Sequence, residues 1–568
     1  MPYTRDQAIA DATAPGQPFE LIDGEVWGRP CKIFKNAPHS LRELFEESRS
    51  DATFLVYEDE RYSFEEVYQY SCRIAHLLVH EYGVEKGDRV AISMRNFPEW
   101  VMAFNAITSI GAIAVAMNAL WQTEEMEFGL TDSGAKVLFA DQERIDRTQS
   151  FWGDLEIKVL TVKADRLLPG MTTLDEALSA IPACAMPDMH PDPDDRATIM
   201  YTSGSTGHPK GAISNHRNIL SALYSWSVNL MDFMEHEGVP PQITPPIPEH
   251  QPATLLAVPL FHVTGSHAVM LQCYQIQRKM VSMYKWNPMA AAALIEAEHI
   301  NSFVGPATMT GDLVEAAKET DRDLSSLERV GGGGAPRAPE QVRSIAATFE
   351  NAMPGTGWGM TETNAIGTGI GGEDYLNRPA SSGRCACVLQ LRVMDEDGNE
   401  LPTGERGELQ IRGSSLIEGY WNRPEANAEA FDGDWFKTGD VAYIDDEGFL
   451  FIVDRIKDLV IRGGENIGCA EVEAALLEYD HIVEASVYAV PDDRYGEEVG
   501  ASIYCTQAID EDHLRGFLLQ HIAKFKVPRY MTFTDQPLPR IASGKMNKRQ
   551  LRDEAPDMFL SPQQQLGT

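Results

Sequence analysis

From Phe54 onward the chain alternates short apolar runs with amphipathic helical stretches, and this alternation restricts the fold more than any other feature. TFLVYEDERYSF reads as a hairpin and FEEVYQYSCRIAHLLVHEYG as a helix, and DRVAISM, AKVLFA, EIKVLTVK and TIMY read as strands. Apolar runs of this length between helices indicate a largely parallel sheet covered on both faces, an α/β architecture. VMAFNAITSIGAIAVAMNAL, residues 101–120, is uncharged, yet polar residues punctuate it and Gly111 fits a corner. We read it as a buried helix–turn–strand rather than a membrane span.

The pattern changes near residue 389, where LQLRVMDEDGNELP carries a hairpin signal at Asp397–Gly398 and GELQIRG follows. This predicts a small β-rich subdomain. Beyond residue 458, AEVEAALLEY has a helical stripe at 472, 475, 476 and 479, and IVEASVYAV and EVGASIYC read as strands. A compact α+β unit closes the chain. Residues 1–50 read as an extension ending in the amphipathic helix SLRELFEESR, and the last fifteen or so, largely polar, as a disordered tail. MPDMHPDPDDRA (186–197) is a connector, and EHEGVPPQITPPIPEHQPA (235–253) is an insertion or a lid.

Composition narrows the function. With 48 Lys and Arg against 85 Asp and Glu, the net charge is −37. Such a surface disfavours non-specific binding to nucleic acid or anionic membranes, so an anionic substrate needs local cations. Eight scattered cysteines without a CxxC pair, and an N-terminus lacking signal-peptide character, point to the cytoplasm.

The richest local chemistry is YTSGSTGHPKG, residues 201–211, placed after the strand TIMY. Its glycines, its four Ser and Thr residues and Lys210 suit an anion cradle of backbone N–H groups. The spacing is not that of the ATPase P-loop, which needs four residues between its glycine and its Gly-Lys pair. GTGWGMTE puts Trp358, a flat apolar face, four residues before the Glu362 carboxylate, and WFKTGD ends on Asp440 at a Gly turn. An aromatic face, a carboxylate able to reach a metal, and a fixed carboxylate for two hydroxyls would together suit a nucleotide.

YTSGSTGHPKG, PLFHVTG, GGGGAP, GWGMTE, WFKTGD, DRIKD, GGENI and SGK, in this order, resemble the adenylate-forming superfamily from about residue 50 to 550. That superfamily comprises acyl- and aryl-CoA synthetases, peptide-synthetase adenylation domains and beetle luciferases. The resemblance implies an N-terminal domain over 51–453, a hinge over 454–457 at Lys457, a mobile C-terminal domain over 458–553 and a tail over 554–568. It implies that Thr202, Ser203, Gly204, Ser205, Thr206, Gly207 and Lys210 hold the β- and γ-phosphates of ATP. Gly333, Gly334, Ala335 and Trp358 would flank adenine, with Gly359, Met360 and Thr361 beside the nucleotide. Glu362 and Thr206 would meet Mg2+, Asp440 and Arg455 the ribose, and Lys545 the α-phosphate during adenylation. His262, Val263, Gly332, Gly333 and Met360 would line the acyl site. Gly463, Gly464, Glu465 and Asn466 match the loop lining the thiol tunnel, and Arg462, Lys524, Lys526 and Arg529 are candidate partners for CoA. Trp358 stands where tyrosine is commoner, which keeps the stacking face but loses a hydroxyl.

The implied enzyme is an AMP-forming acid–thiol ligase acting on a fatty or other hydrophobic acid with ATP, Mg2+ and CoA. A homodimer is compatible with this reading. Transfer of an aryl, polycyclic or fatty acyl group to a carrier-protein thiol or an amine is the alternative. No Gly-Asp-Ser carrier-attachment motif is present, which disfavours a peptide-synthetase module. A catalytically dead nucleotide-binding regulator would be free to lose Lys545 and Glu362, and both are present.

Overall fold

In a computed structural model, residues 4–202, 209–233, 249–333, 337–463, 465–492, 494–540 and 546–559 are described. The first sheet has seven strands: Lys210–Asn215, Arg196–Thr202, Ile113–Ala116, Arg89–Ser93, Val137–Asp141, Lys158–Val162 and Thr172–Thr173, in that spatial order. Every pairing is parallel except the first, where Arg196–Thr202 and Lys210–Asn215 run antiparallel around the glycine loop. The uncharged stretch is the helix Pro98–Ser109, a turn at Gly111 (φ +71°) and the strand Ile113–Ala116. Trp100 and Phe104 stack in its core at 5.3 Å. No helix among the described residues is long and apolar enough to cross a membrane.

The second sheet has fourteen strands. Its parallel centre, Thr53–Tyr57, Ala253–Leu256, Lys279–Ser282, Ser302–Gly305, Arg329–Gly333 and Met353–Gly357, passes into an antiparallel part at Thr368–Gly371. The β-rich region expected from about 389 starts about twenty residues earlier, and its strands continue this sheet. Short strands such as Thr368–Gly371 and Gly383–Cys385 carry too few residues for alternation to show. The hairpin signal was sound: the chain reverses between Met394 and Glu400, with Gly398 at φ +84°.

A third sheet of five strands, Val460–Arg462, Glu465–Ile467, Ile482–Asp492, Gly496–Cys505 and Tyr530–Thr534, packs with the helices Cys469–Leu477, Glu511–His521 and Lys548–Phe559. Val460, Val472, Leu476, Val487, Ile503, Leu514 and Leu518 form its core. The tail expected over 554–568 is corrected in part, because the last helix continues to Phe559. Its Leu551 and Ala555 are buried beside Tyr488, Val490 and Leu538, and Phe559 stacks on Tyr530 at 5.1 Å. Residues 560–568 lie outside the described residues.

The N-terminal fifty residues are built into the large domain. The Arg29 guanidinium donates to the carbonyls of Ile417 and Glu418 at 3.0 and 2.8 Å. The expected amphipathic helix, Leu41–Glu47, buries Leu41, Leu44 and Phe45. Its first amide donates to Nδ1 of His216 at 3.1 Å, which requires a neutral ring. Burial lowers the His216 pKa from 6.5 to about 4, against the pull of Asp195. Stability from this ring is complete above pH 6.5, where the unfolded histidine is also neutral. It is lost as pH falls toward 4, by on the order of 3 kcal/mol. Thermal unfolding midpoints of the wild type should therefore fall across this window, and those of His216→Gln should fall less. Equal pH slopes for the two proteins would contradict the assignment.

Candidate nucleotide site

The ends of the glycine loop face each other, Thr202 opposite Lys210, with Thr202 Oγ1 donating to the Lys210 carbonyl at 3.3 Å. Ser203, Gly204, Ser205, Thr206 and Gly207 lie outside the described residues, as do Gly334, Ala335, Gly464 and Lys545. Residues 235–248 of the 235–253 stretch are outside them too. The loop's base is fixed: Tyr201 donates to Asp132 at 2.8 Å, and the Trp421 amide donates to the Gly211 carbonyl at 2.7 Å.

Trp358 ends the strand Met353–Gly357, at the carboxyl edge of the parallel strands, where α/β sheets bind ligands. Next to it, a Cβ on Gly359 would lie 2.4 Å from the Ala365 carbonyl oxygen, so the close return of the chain requires glycine. That return is made by Asn364 and Ala365, both at positive φ (56° and 67°), directly after the short 3-10 turn Thr361–Thr363. Two consecutive non-glycine residues in this region mark stored backbone strain, a common property of functional loops.

Glu362, only 7% exposed, accepts a 2.7 Å hydrogen bond from the Tyr420 hydroxyl. Burial pushes its carboxyl pKa up, while the Tyr420 hydrogen bond and the Arg455 charge act downward. Lys210 Nζ lies 5.2 Å from the centroid of the same Tyr420 ring. Asp440 is 2% exposed, at a point where Gly439 (φ +70°) turns the strand Trp435–Ile444. One of its oxygens accepts from the Trp358 indole N–H at 2.8 Å and the other pairs with Arg455 Nε at 2.5 Å. Asp440 and Arg455 are register partners on adjacent strands. Burial raises the Asp440 pKa and Arg455 opposes it.

Residues far apart in sequence, Lys210, Trp358, Glu362, Asp440 and Arg455, are thus joined by direct contacts or by electrostatic coupling. The indole has a further commitment, since its ring closes over Gly367, where a Cβ would meet it at 2.6 Å. Tyr420 was missed by sequence reasoning. The turn EGYWNRPE around it was a local signal, but only three-dimensional contact reveals its two partners.

His262 is half-buried and Val263 buried, at the start of the π-helical segment Thr264–Leu271. Beyond them His267, also missed, is fully buried, held to about pKa 3 by desolvation and bonded through Nδ1 to Ser266 Oγ at 2.8 Å. A Cβ on Gly332 would meet the buried Arg337 guanidinium at 2.7 Å, whereas at Gly333 it would meet open space. Met360 and Thr361 are half-buried beside the return loop.

In the small domain the expected cations are not free. Arg462 forms a two-point pair with Glu498 (2.8 and 2.7 Å), Lys526 pairs with Glu471 (2.6 Å) and Arg529 with Asp492 (3.0 Å). Lys524 alone of the four carries no ion pair among the described residues. Three of the four candidate partners for CoA are therefore ion-paired with acidic residues of the protein itself in this structure. Gly463 (φ +59°) and the exposed Glu465 flank the thiol-loop position. Lys457 is exposed on the turn Ile456–Asp458. Just before it, Asp454 lies on a strand of the large sheet, and its carboxylate accepts from the Cys469 amide at the first turn of the small-domain helix.

The residues present fit a nucleotide and a magnesium ion. Magnesium usually takes one or two carboxylates and otherwise phosphate and water oxygens, so Glu362 with one oxygen committed to Tyr420 is sufficient on the protein side. Trp358→Phe keeps the aromatic face but removes the Asp440 donor. It should weaken ATP binding by about tenfold in calorimetry, the scale of one hydrogen bond to a charged group. Unchanged affinity would separate the indole N–H from nucleotide binding.

Comparisons with known proteins show the family and the fold. The family described as AMP-binding enzyme matches residues 43–421, and the AMP-binding enzyme C-terminal domain matches 471–545. The chain is 32% identical to a 2-succinylbenzoate–CoA ligase of Bacillus velezensis, over 88% of this chain and 94% of that one. It is 31% identical to a long-chain-fatty-acid–CoA ligase of Mycobacterium tuberculosis, over 83% and 89% respectively. Among solved structures, o-succinylbenzoate coenzyme A synthetase from Bacillus subtilis in complex with ATP and magnesium ion superposes with a TM-score of 0.76 at 28% identity. That match covers 90% of this chain and 99% of the other.

Proposed function

The chain belongs to the AMP-binding enzyme family and is an acid–thiol ligase, and from this premise we propose that it activates a hydrophobic carboxylic acid with ATP and passes the acyl group to CoA. The observation that carries the proposal is the convergence of Lys210, Trp358, Glu362, Asp440 and Arg455 on one site.

A carboxylate is a poor acyl donor because oxide is a poor leaving group. Attack of its oxygen on the α-phosphorus of ATP forms an acyl-adenylate and expels pyrophosphate. The thiol of CoA then attacks the acyl carbon and AMP leaves. Asp440, held by Trp358 and Arg455, fixes the ribose, and Trp358 also offers its face to adenine. Lys210, Thr202 and the glycine loop take the outer phosphates, and Glu362 holds magnesium, which offsets charge on the triphosphate. His262, Val263, Gly332, Gly333 and Met360 border the acid. Lys545 brings a cation to the α-phosphate only for the first step. The two steps need different groups at one site, so the domain over 458–553 turns about Lys457 and presents Gly463, Gly464 and Glu465 to the thiol.

The acid we propose first is a medium- or long-chain fatty acid, and an aryl acid second; the named activities of the relatives span both classes. Pyrophosphate release measured on a panel of both, with and without CoA, discriminates them. Release that ignores CoA and rises with a carrier protein or an amine would change the acceptor. A site in the cytoplasm accords with eight free cysteines.

Two substitutions separate the steps. Lys545→Ala should slow acyl-adenylate formation by roughly 10²–10³-fold while still converting supplied acyl-adenylate and CoA to thioester. Lys457→Pro fixes φ at the turn, so adenylation should persist while thioester formation fails. Half-reaction assays on both variants give the answer. Equal loss in both halves for Lys545→Ala would make that lysine structural and remove the main support for alternation.

A further inference from the structure

Tyr420 contacts both a cation and a carboxylate of the candidate site. Its hydroxyl donates to Glu362 at 2.7 Å, and Lys210 Nζ lies 5.2 Å from its ring centroid. Lys210 has no ion pair among the described residues, although the chain carries a large excess of carboxylates. Glu362 accepts no other side-chain hydrogen bond among them.

The tyrosine is held from both sides. Its amide donates to Asn427 Oδ1 at 2.6 Å and its carbonyl accepts from Asn427 Nδ2 at 3.0 Å. It bridges Ala212 on the strand that begins at Lys210, and the following residue, Trp421, is bonded to Gly211. The segment Leu416–Trp421 also reaches the other side of the site, where the Ile417 amide donates to the Glu362 carbonyl at 3.0 Å. One short stretch is therefore bonded to the backbone of Glu362 and to that of the residues directly after Lys210, and one side chain in it contacts both charged groups.

A flexible lysine beside a buried carboxylate gains by closing onto it, and a closed pair has little charge left for a ligand. A ring face attracts an ammonium without neutralising it, and a phenol orients a carboxylate without adding a formal charge. We propose that Tyr420 is a positioning residue that keeps Lys210 and Glu362 as two separate charges, the first for phosphate oxygens and the second for the divalent cation that accompanies them. The inference rests on the nucleotide reading of this site and adds to it a residue whose task is to prevent self-neutralisation.

The test is calorimetric binding of ATP across a magnesium titration, with AMP as a control that carries no outer phosphates. Wild-type protein that binds no ATP at any magnesium concentration would overturn the reading of the site itself. Given wild-type binding, Tyr420→Phe should raise the magnesium concentration for half-maximal ATP binding by about tenfold and leave AMP affinity within about twofold. Adding Lys210→Met to Tyr420→Phe should return the magnesium midpoint toward the wild-type value while ATP affinity stays low, because the competing cation is gone. An unchanged midpoint in Tyr420→Phe, equal losses for ATP and AMP, or a double variant with no recovery would each overturn the inference. Should Tyr420→Phe not fold, Asn427→Ala loosens the same tyrosine without deleting its hydroxyl and should shift the midpoint in the same direction. A stable Asn427→Ala protein with the wild-type midpoint would then count against the proposal.

Discussion

A carboxylate that is almost fully withdrawn from water has to be compensated where it stands, and Asp440 sets this condition for the site. Its compensation comes from two directions: a guanidinium on the neighbouring strand and an indole from a loop 82 residues earlier. Cross-strand register supplies Arg455. Trp358 reaches Asp440 only if the strand Met353–Gly357 and the antiparallel strands beyond it belong to one sheet, as they do. The continuity of the fourteen-stranded sheet is therefore what brings the two halves of the site together. Leaving Arg455 out would cost several kcal/mol, because an unpaired buried charge is far more expensive than an absent one.

Much of the architecture was legible in the sequence because it rests on local pattern. The apolar runs from Phe54 to Tyr201 became parallel strands, and the uncharged stretch at 101–120 became a buried helix and strand, since their burial is written in their own composition. The site was legible as a set of motifs but not as a set of contacts. GWGMTE and WFKTGD each suggested a role, yet the bond between Trp358 and Asp440 joins residues whose neighbourhoods carry no trace of one another. Tyr420 was invisible for the same reason. The pairing of Arg462, Lys526 and Arg529 with acidic residues was also hidden, because a sequence gives net charge and not which charges touch. The end of the last helix was lost to composition: KRQLRDEAPDMF is mostly polar and has Pro556 inside it, so the anchoring by Leu551, Ala555 and Phe559 was outweighed.

The excess of acid explains a second property. With a net charge of −37, a cation at a binding site has many carboxylates to compete for it, and Lys210 at the nucleotide site and Lys524 in the small domain are among those that form no ion pair within the described residues. The long-range field opposes every polyanionic substrate, so affinity has to come from close contacts that fall off within about a Debye length.

Asp454 belongs to two bodies at once, its backbone paired in the large sheet and its carboxylate holding the first turn of a small-domain helix. Any turn of the small domain about Lys457 pulls on that bond, and surrendering a helix cap costs about 1 kcal/mol. In the proposed alternation the orientation seen in this structure would therefore be a shallow notch, and leaving it would expose an amide and a carboxylate that recombine on return.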